Sequence, residues 1–330
     1  MKVLVTGGAG YIGAHVARAL SARGHEPVVV DDFRRSRRGR AEGLPLEDVP
    51  LEDTAALAAV FERHEPDGVV HLGGYISVGE SVREPALYWG NNLGAGASLL
   101  LAASRRPPRV VLFSSTAAVY GNAEALPIPE TAPRLPVNPY GASKLAFETL
   151  LRTAGEAHGY RTAALRYFNA SGAHVEWGVG EEHEPEEHLI PRVVRLLSSG
   201  RKVTLYGDDY PTPDGTCVRD YVHVDDLASA HVAVLEGDHL PPHVAFNVGT
   251  GRGFSVREVI EEVARQLGAA PEVEVLPRRP GDPPALVADP SALRAAVRWE
   301  PVRSDLAGIV ASAIAWERVR EGRSPSTGPR

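Results

Sequence analysis

Tyr140 and Lys144 lie four residues apart in Tyr140-Gly141-Ala142-Ser143-Lys144, a spacing that puts a phenol and an ammonium on one face of a helix. A cation close to a phenol favours the phenolate, so Lys144 is expected to lower the Tyr140 pKa toward neutrality. A phenol tuned in this way takes a proton from a substrate hydroxyl and later returns it. Taken alone, the spacing also describes an aromatic packed beside a solvated lysine. A second group of residues, Thr6-Gly7-Gly8-Ala9-Gly10-Tyr11-Ile12-Gly13, follows the first apolar run directly. Gly7, Gly10 and Gly13 allow a tight turn, close backbone approach to a pyrophosphate and close helix–strand packing. The helix beyond them offers free N–H groups and a positive dipole end, so the pattern points to a dinucleotide. Asp31, about twenty residues on, is placed to hold the adenosine ribose hydroxyls, which favours NAD over NADP. Asp32 beside it is able to cap a turn instead.

These groups need a scaffold, and the first half of the chain describes one. Val3–Val5, Val28–Val30, Val69–Leu72, Val110–Phe113 and Ala163–Leu165 read as buried strands. Helical stretches near 12–22, 53–64, 86–104 and 140–157 separate them. Near-continuous apolar strands alternating with helices predict an α/β fold, a Rossmann-type doubly wound parallel sheet covered on both faces. Phe113-Ser114-Ser115-Thr116 then ends the fourth strand at the edge where such sheets bind ligands. Pro139 is expected to start the helix that carries Tyr140, and Asn138 to cap it. Past about residue 168 the alternation loosens, with helices expected over 188–199, 225–236, 255–267 and 304–318. Strands are expected around 203–206, 217–224, 245–248 and 272–276. The resulting division is 1–168 as an NAD-binding domain with a returning segment near 217–245, and 169–330 as a smaller substrate domain. The polar tail from Glu321 to Arg330 is expected to fray.

Composition narrows the function classes. A net charge of −7 over 330 residues gives no general attraction to nucleic acid or anionic membranes. A single cysteine, Cys217, leaves no internal disulfide and fits a reducing cytoplasm. No run has the length of a membrane span, so the expectation is a soluble cytoplasmic protein. Arg34 to Arg40 reads as a solvated basic loop. Glu181-Glu182-His183-Glu184-Pro185-Glu186-Glu187 has metal-ligand residue types, but proline breaks any helix there and the carboxylates show no set spacing. It reads as a mobile acidic loop, and no metal is assigned.

Thr116, Tyr140 and Lys144, with the N-terminal glycine turn, form a constellation that resembles the extended short-chain dehydrogenase/reductase superfamily. Within it the chain is most similar to the UDP-glucose 4-epimerases. The similarity extends through Val69–Gly74, Asn91-Asn92 and Leu165–Asn169 to Tyr206-Gly207-Asp208-Asp209-Tyr210-Pro211-Thr212-Pro213-Asp214-Gly215-Thr216, then Val218–Ala228 and Pro277–Ala285. The block from Gly207 to Thr216 is the most discriminating of these.

The resemblance implies reversible interconversion of UDP-glucose and UDP-galactose through a 4-keto sugar, with hydride moving to and from bound NAD. It implies Tyr140, Lys144 and Thr116 as the catalytic set. Beyond Gly7, Gly10, Gly13, Tyr140 and Lys144, the implied cofactor contacts are Tyr11, Ile12, Asp31, Asp32, Ser36, Asp48, Val49, Leu72, Gly73, Gly74, Asn92, Ser114 and Tyr167. The implied substrate contacts are Thr116, Tyr140, Asn169, His188, Leu189, Thr204, Tyr206, Arg219, Arg279 and Asp282, the two arginines facing the diphosphate. An ion pair of Arg219 with Asp220 or Asp225 is the structural alternative.

Some positions depart from the family pattern. Thr116 stands where many members carry Ser, Gly73 replaces Ala, and His188 replaces an Asn. Leu286 is intermediate between a bulky residue that restricts the hexose pocket and a small one that admits N-acetylated sugars. Ala117-Ala118 after Thr116 argue against a dehydratase, which needs an acid pair there. Other UDP-sugars (N-acetylglucosamine, glucuronate, a pentose) are the alternative substrates, and a homodimer through the helices near 86–104 and 140–157 is implied.

Overall fold

The β-branched runs are buried along both faces, as a parallel sheet covered on both sides demands. The computed structural model describes residues 1–279 and 281–322. Residues 323–330, most of the tail expected to fray, and Pro280 lie outside them. Six strands come from the first half: β1 (Lys2–Thr6), β2 (Glu26–Val30), β3 (Leu46–Glu47), β4 (Gly68–His71), β5 (Val110–Thr116) and β6 (Arg161–Tyr167). The order across the sheet is β3-β2-β1-β4-β5-β6, closed by a seventh strand, His243–Val248, on β6. Every pairing is parallel. The strand order reverses between β1 and β4, opening a crevice at their carboxyl ends.

Helices fill both faces. On one, α1 (Tyr11–Ala22) and the helix Val224–Glu236 bury Val16, Leu20, Leu227 and Leu235 against the sheet. On the other, α2 (Thr54–His64) contributes Leu57 and Phe61. With them pack Leu99 and Leu100 from a helix Gly96–Arg105 and Phe147 and Leu151 from a helix Pro139–His158. Between α2 and these come two short helices, α3 (Val78–Arg83) and α4 (Pro85–Tyr88); Gly96–Arg105 is then α5 and Pro139–His158 is α6. The continuous helix expected near 86–104 is interrupted by a π-helical segment, Trp89–Ala95. Gly90 and Gly94 lower the cost of that wide turn, and the Asn92 side chain uses it to bond the Tyr75 backbone.

A third core lies beyond the sheet. The helices Leu189–Ser198, Val256–Leu267 and Leu306–Gly322 pack Val193, Val263 and Ile309 with Leu205 and Tyr221 from the strands Val203–Tyr206 and Val218–His223. Buried carboxylates knit this part together. Asp220 is fully buried and accepts from the Thr250, Gly251 and Ala288 amides. Asp226 accepts from the Val302 and Arg303 amides. The helices and strands expected in the second half are present within a few residues. The very short strands Asn169–Ser171, Ala173–His174, Val179–Gly180, Gly253–Ser255 and Ala285–Leu286 were not expected. Two or three residues carry too little periodicity to be read from sequence.

Candidate active site

The glycine turn leaves β1 where the strand order reverses. Gly7 has φ +68°, and a Cβ there would lie 2.6 Å from the Gly73 amide nitrogen, so only glycine lets the turn meet the end of β4. A Cβ on Gly13 would lie 2.1 Å from the Gly7 carbonyl oxygen, which holds α1 against the turn. Gly10 caps α1 with no side-chain hydrogen bond, and the first turn carries no acidic residue. The leading N–H groups of a twelve-residue helix are thereby left for an anion, the cradle a dinucleotide pyrophosphate requires. Asp31 follows β2 and spans the same turn. Its Oδ2 accepts from the Ala9 amide at 3.0 Å, and its Oδ1 from the Phe33 amide at 3.0 Å and the Ser36 hydroxyl at 2.6 Å. A carboxylate accepts about four hydrogen bonds, so capacity remains for a ribose hydroxyl. Asp32 caps a local turn through the Arg34 amide at 3.1 Å.

The crevice continues across β4 and β5. Gly74 lies between Asn92 and Lys144; a Cβ on it would be 3.1 Å from Asn92 Oδ1 and 3.3 Å from Lys144 Nζ. Asn92 is 2% exposed, and its amide is taken up by both backbone groups of Tyr75 and by the Ser143 hydroxyl. Leu72 and Ile12 pack on the core under the turn, and Val49 on the opposite face. Asp48 follows β3 beside the end of β2, where its exposed carboxylate pairs with Arg38.

Tyr140 is in the first turn of α6. Asn138 caps that helix by accepting from the Gly141 amide at 2.8 Å, with Pro139 in the first turn, as expected. Gly141 then controls how near the helix comes: a Cβ there would lie 2.6 Å from the Ala118 carbonyl oxygen. That approach sets the Tyr140 phenol near enough to the Thr116 hydroxyl for the latter to lower the phenol's pKa. Lys144 is 2% exposed and donates to the Ser114 carbonyl at 3.0 Å.

The tuning differs from the sequence expectation. Burial pushes the Tyr140 phenol above its ordinary value, with only the Thr116 hydroxyl acting the other way. Burial also brings Lys144 down to about 8. The ammonium lies 6.0 Å from the Tyr140 ring centre and is directed at the Ser114 carbonyl, so desolvation outweighs its attraction for the phenolate. Tyr167 is also tied into the core. Its hydroxyl is buried against His231 and Ser114, with its pKa raised, which makes it a support for the end of β5. Tyr11, likewise buried, donates to the Gly172 carbonyl at 2.6 Å and thereby joins α1 to the second half of the chain.

Beyond β6 the expected substrate contacts gather in part. Tyr206, at the end of its strand, has the Arg279 guanidinium 4.1 Å and the Arg192 guanidinium 5.8 Å from its ring centre. Hydrogen bonds from Arg192 and then Arg279 lower its phenol pKa. Arg192 and Arg279 form no ion pair with a carboxylate among the described residues. The sequence reading missed Arg192; its signal was the position one helical turn after Leu189, which starts the helix Leu189–Ser198. Arg219 pairs with Asp282 at 2.5 Å, not with Asp220 or Asp225. Asp220 is taken up by backbone amides and Asp225 by His174 and Arg303. Leu286 is in register with Arg219 on the neighbouring strand. Thr204 shares the strand of Tyr206, and Asn169 pairs with Tyr221 where the chain leaves β6. An unforeseen buried network lies behind the site: Glu148 of α6 holds Arg166 of β6 at 2.8 Å and takes the Ser115 hydroxyl.

Both charged loops depart from their expected form. Arg40 is 7% exposed and donates to the Gly180 carbonyl and to Glu182, so the basic loop is tied to the acidic one. Glu181 is 4% exposed, and His183 and His188 flank its carboxylate. The acidic segment therefore has a definite arrangement that its sequence spacing concealed.

Known proteins with this geometry bind the same cofactor. The UDP-glucose 4-epimerase of Azospirillum brasilense is 45% identical over 323 residues, 97% of this chain and 93% of that protein. The solved UDP-glucose 4-epimerase from Brucella ovis, in complex with NAD, aligns with a TM-score of 0.92 at 43% identity, covering 95% of this chain and 97% of that one. The enzyme from Bifidobacterium longum, in complex with NAD+ and UDP, aligns with a TM-score of 0.91 at 37% identity, over 97% of this chain and 99% of that one. The model of the NAD dependent epimerase/dehydratase family matches residues 3–249, which span the glycine turn, Thr116, Tyr140 and Lys144. The chain belongs to that family.

Proposed function

We infer that this chain catalyses the reversible 4-epimerisation of UDP-glucose and UDP-galactose through a 4-keto sugar, with NAD as its cofactor. The observation that carries the reading is the Tyr140 phenol set beside the Thr116 hydroxyl and buried Lys144, at the carboxyl edge of a sheet that opens with the glycine turn. NAD held in this cradle would supply the acceptor and donor for the hydride at C4. Tyr140 takes the proton of the 4-hydroxyl and gives it back, while Thr116 shares a hydrogen bond with the same oxygen. Lys144 would hold the nicotinamide ribose. Gly7, Gly10, Tyr11, Ile12 and Gly13 supply the pyrophosphate turn, and Asp31 the adenosine ribose contact.

Residues from 169 onward, apart from the helix Val224–Glu236 and the strand His243–Val248 that return to the sheet, form the UDP-sugar side. Arg219 and Arg279 meet the diphosphate, with Arg192 added to them because it shares Tyr206. Asp282 takes the uridine ribose, exchanging its partner Arg219 for the ligand. The four-position switch requires firm hold of the nucleotide and loose hold of the hexose, and arginines gathered at one end suit that division. Apolar residues exposed on α3 to α5 and the π-helical segment (Val82, Leu87, Trp89 and Leu101) support a homodimer through this face. No helix among the described residues is long and apolar enough to cross a membrane. The single cysteine fits a cytoplasmic setting.

The test is incubation with UDP-galactose and no added hydride acceptor, with products resolved by NMR. Conversion to UDP-glucose is expected, and a requirement for stoichiometric external NAD would replace the epimerase by a dehydrogenase. A parallel panel of UDP-N-acetylglucosamine, UDP-glucuronate and UDP-pentoses measures the range set beside Leu286. Light scattering after size exclusion reads the oligomeric state.

A further inference from the structure

We propose that Glu181, His183, Glu186 and His188 form a structural site for one divalent transition-metal ion, with zinc as the fitting ion. Each of the four offers a ligand-type atom, and these atoms all lie within 4.8 Å of one another. His183 Nδ1 is 3.3 Å from Glu181 Oε1 and 3.6 Å from Glu186 Oε1, and His188 Nδ1 is 4.0 Å from the latter. A tetrahedron with metal–ligand bonds of ~2.0–2.1 Å has edges of about 3.4 Å; the His183 separations already match it, whereas the wider pairs would close, by up to about 1.4 Å for atoms 4.8 Å apart, and the close His188–Glu181 contact would open through side-chain rotation. His183 Nδ1 is itself buried and makes no well-formed hydrogen bond, although two carboxylates stand beside it. An ion between them supplies the missing partner.

Charge supports the same reading. The Glu181 and Glu186 side chains are 5% and 6% exposed; the Arg195 guanidinium lies 3.5 Å from Glu186 but is shared with Glu317, so the two carboxylates still call for cationic charge between them. A divalent ion with two neutral imidazoles leaves the group neutral, as does one proton on each imidazole. Binding is therefore an exchange of two protons for one ion. The donor set selects the metal, because two imidazole nitrogens with two carboxylate oxygens suit zinc, whereas magnesium and calcium prefer oxygen alone.

The position indicates a structural role. All four ligands come from one segment that leads directly into the helix Leu189–Ser198. Glu182, inside that segment, takes Arg37 and Arg40 from the first half of the chain. The His183 ring meets Tyr11 edge-on at 6.4 Å. An ion here fastens the approach to the UDP side onto the cofactor side. Four protein ligands close the coordination, which separates the site from catalytic zinc with its open position. Coordination through Nδ1 leaves Nε2 of His188 for a substrate contact.

The test uses the full chain without a histidine tag, stripped by chelator and dialysed. Titration with Zn²⁺ by calorimetry should give one ion per chain, and Co²⁺ should give the intense visible bands of a four-coordinate ion. His183→Gln should weaken binding by at least about tenfold, since even groups behind the ligands are worth 10–100-fold. His158→Gln, on an exposed residue outside the group, should leave binding unchanged. Zinc should also raise the melting temperature of the native chain but not of H183Q. An adventitious ion only, seen as weak multisite uptake that H183Q leaves unchanged, overturns the proposal. Should H183Q fail to fold, the cobalt spectrum of the native chain decides alone, and only weak six-coordinate bands would reject the site.

Discussion

Tyr140 and Lys144 show how burial alters groups whose chemistry is readable from their types. The phenol pKa is raised by desolvation and the ammonium is brought down to about 8. Tyr140→Phe removes the proton-transferring oxygen and little volume. Turnover is expected to fall ~10²–10⁴-fold, the usual contribution of a general acid–base group, with NAD binding retained. Steady-state kinetics beside an NAD titration checks this, and near-normal turnover would remove Tyr140 from the mechanism. Lys144 gives a pH prediction. Its folded pKa is below its ordinary value of 10.5, so between about 8 and 10.5 the unfolded chain binds more protons than the folded one. Stability from this residue therefore rises with pH across that window and is constant below it. Lys144→Met should abolish the rise and stabilise the cofactor-free chain near pH 7, by on the order of 3 kcal/mol. Urea unfolding of both chains at pH 7 and pH 10 measures the difference.

At the scale of elements, the site depends on how closely α6 approaches β5. The helix starts at Pro139 under the Asn138 cap, and Gly141 lets it press against the Ala118 carbonyl. Gly141→Ala places a methyl 2.6 Å from that oxygen, so the first turn must move away and carry Tyr140 from Thr116. A displacement of about 1 Å costs on the order of 10²-fold in rate, so kcat should fall by about that factor. NAD affinity should change much less, because the glycine turn is not involved. Equal losses in both would place the effect on folding. The N-cap, the proline and the glycine turn are all local signals and were legible. The π-helical segment was not, because it depends on Asn92 reaching the Tyr75 backbone from a different element.

Across the whole molecule, buried charges and neutral histidines join the parts. Burial lowers His15 and His231 to about 4 and His71 to about 3; each lies in a different element around the sheet. Below their ordinary value of 6.5 the unfolded chain takes up protons that the folded chain refuses. Stability therefore falls as pH drops from 6.5 toward 4, by about 1.4 kcal/mol per pH unit for each histidine. His231→Gln should reduce proton uptake on unfolding at pH 5 by about one, measured from the pH dependence of urea midpoints. The far side of the cleft supplies a second prediction. Arg219→Ala removes a guanidinium now paired with Asp282 and should weaken UDP binding by about 10–100-fold, in line with a charge-assisted hydrogen bond. Calorimetry with UDP reads it, and unchanged affinity would return Arg219 to a purely structural pairing.

The parallel sheet, the order of its strands and helices along the chain, the glycine turn and the grouping of Thr116, Tyr140 and Lys144 were all readable from residue order alone. Each of these rests on local periodicity, capping or a short fixed spacing, and such signals survive without knowledge of the fold. The direction of the Tyr140 pKa, the partner of Arg219, the addition of Arg192 and the buried partners of the Tyr167 hydroxyl emerged only once the chain was folded. Folding also converted a supposed mobile acidic loop into the ordered group around Glu181. The physical reason is common to all of them: desolvation and long-range pairing depend on which distant segments meet, and sequence spacing carries no measure of that distance.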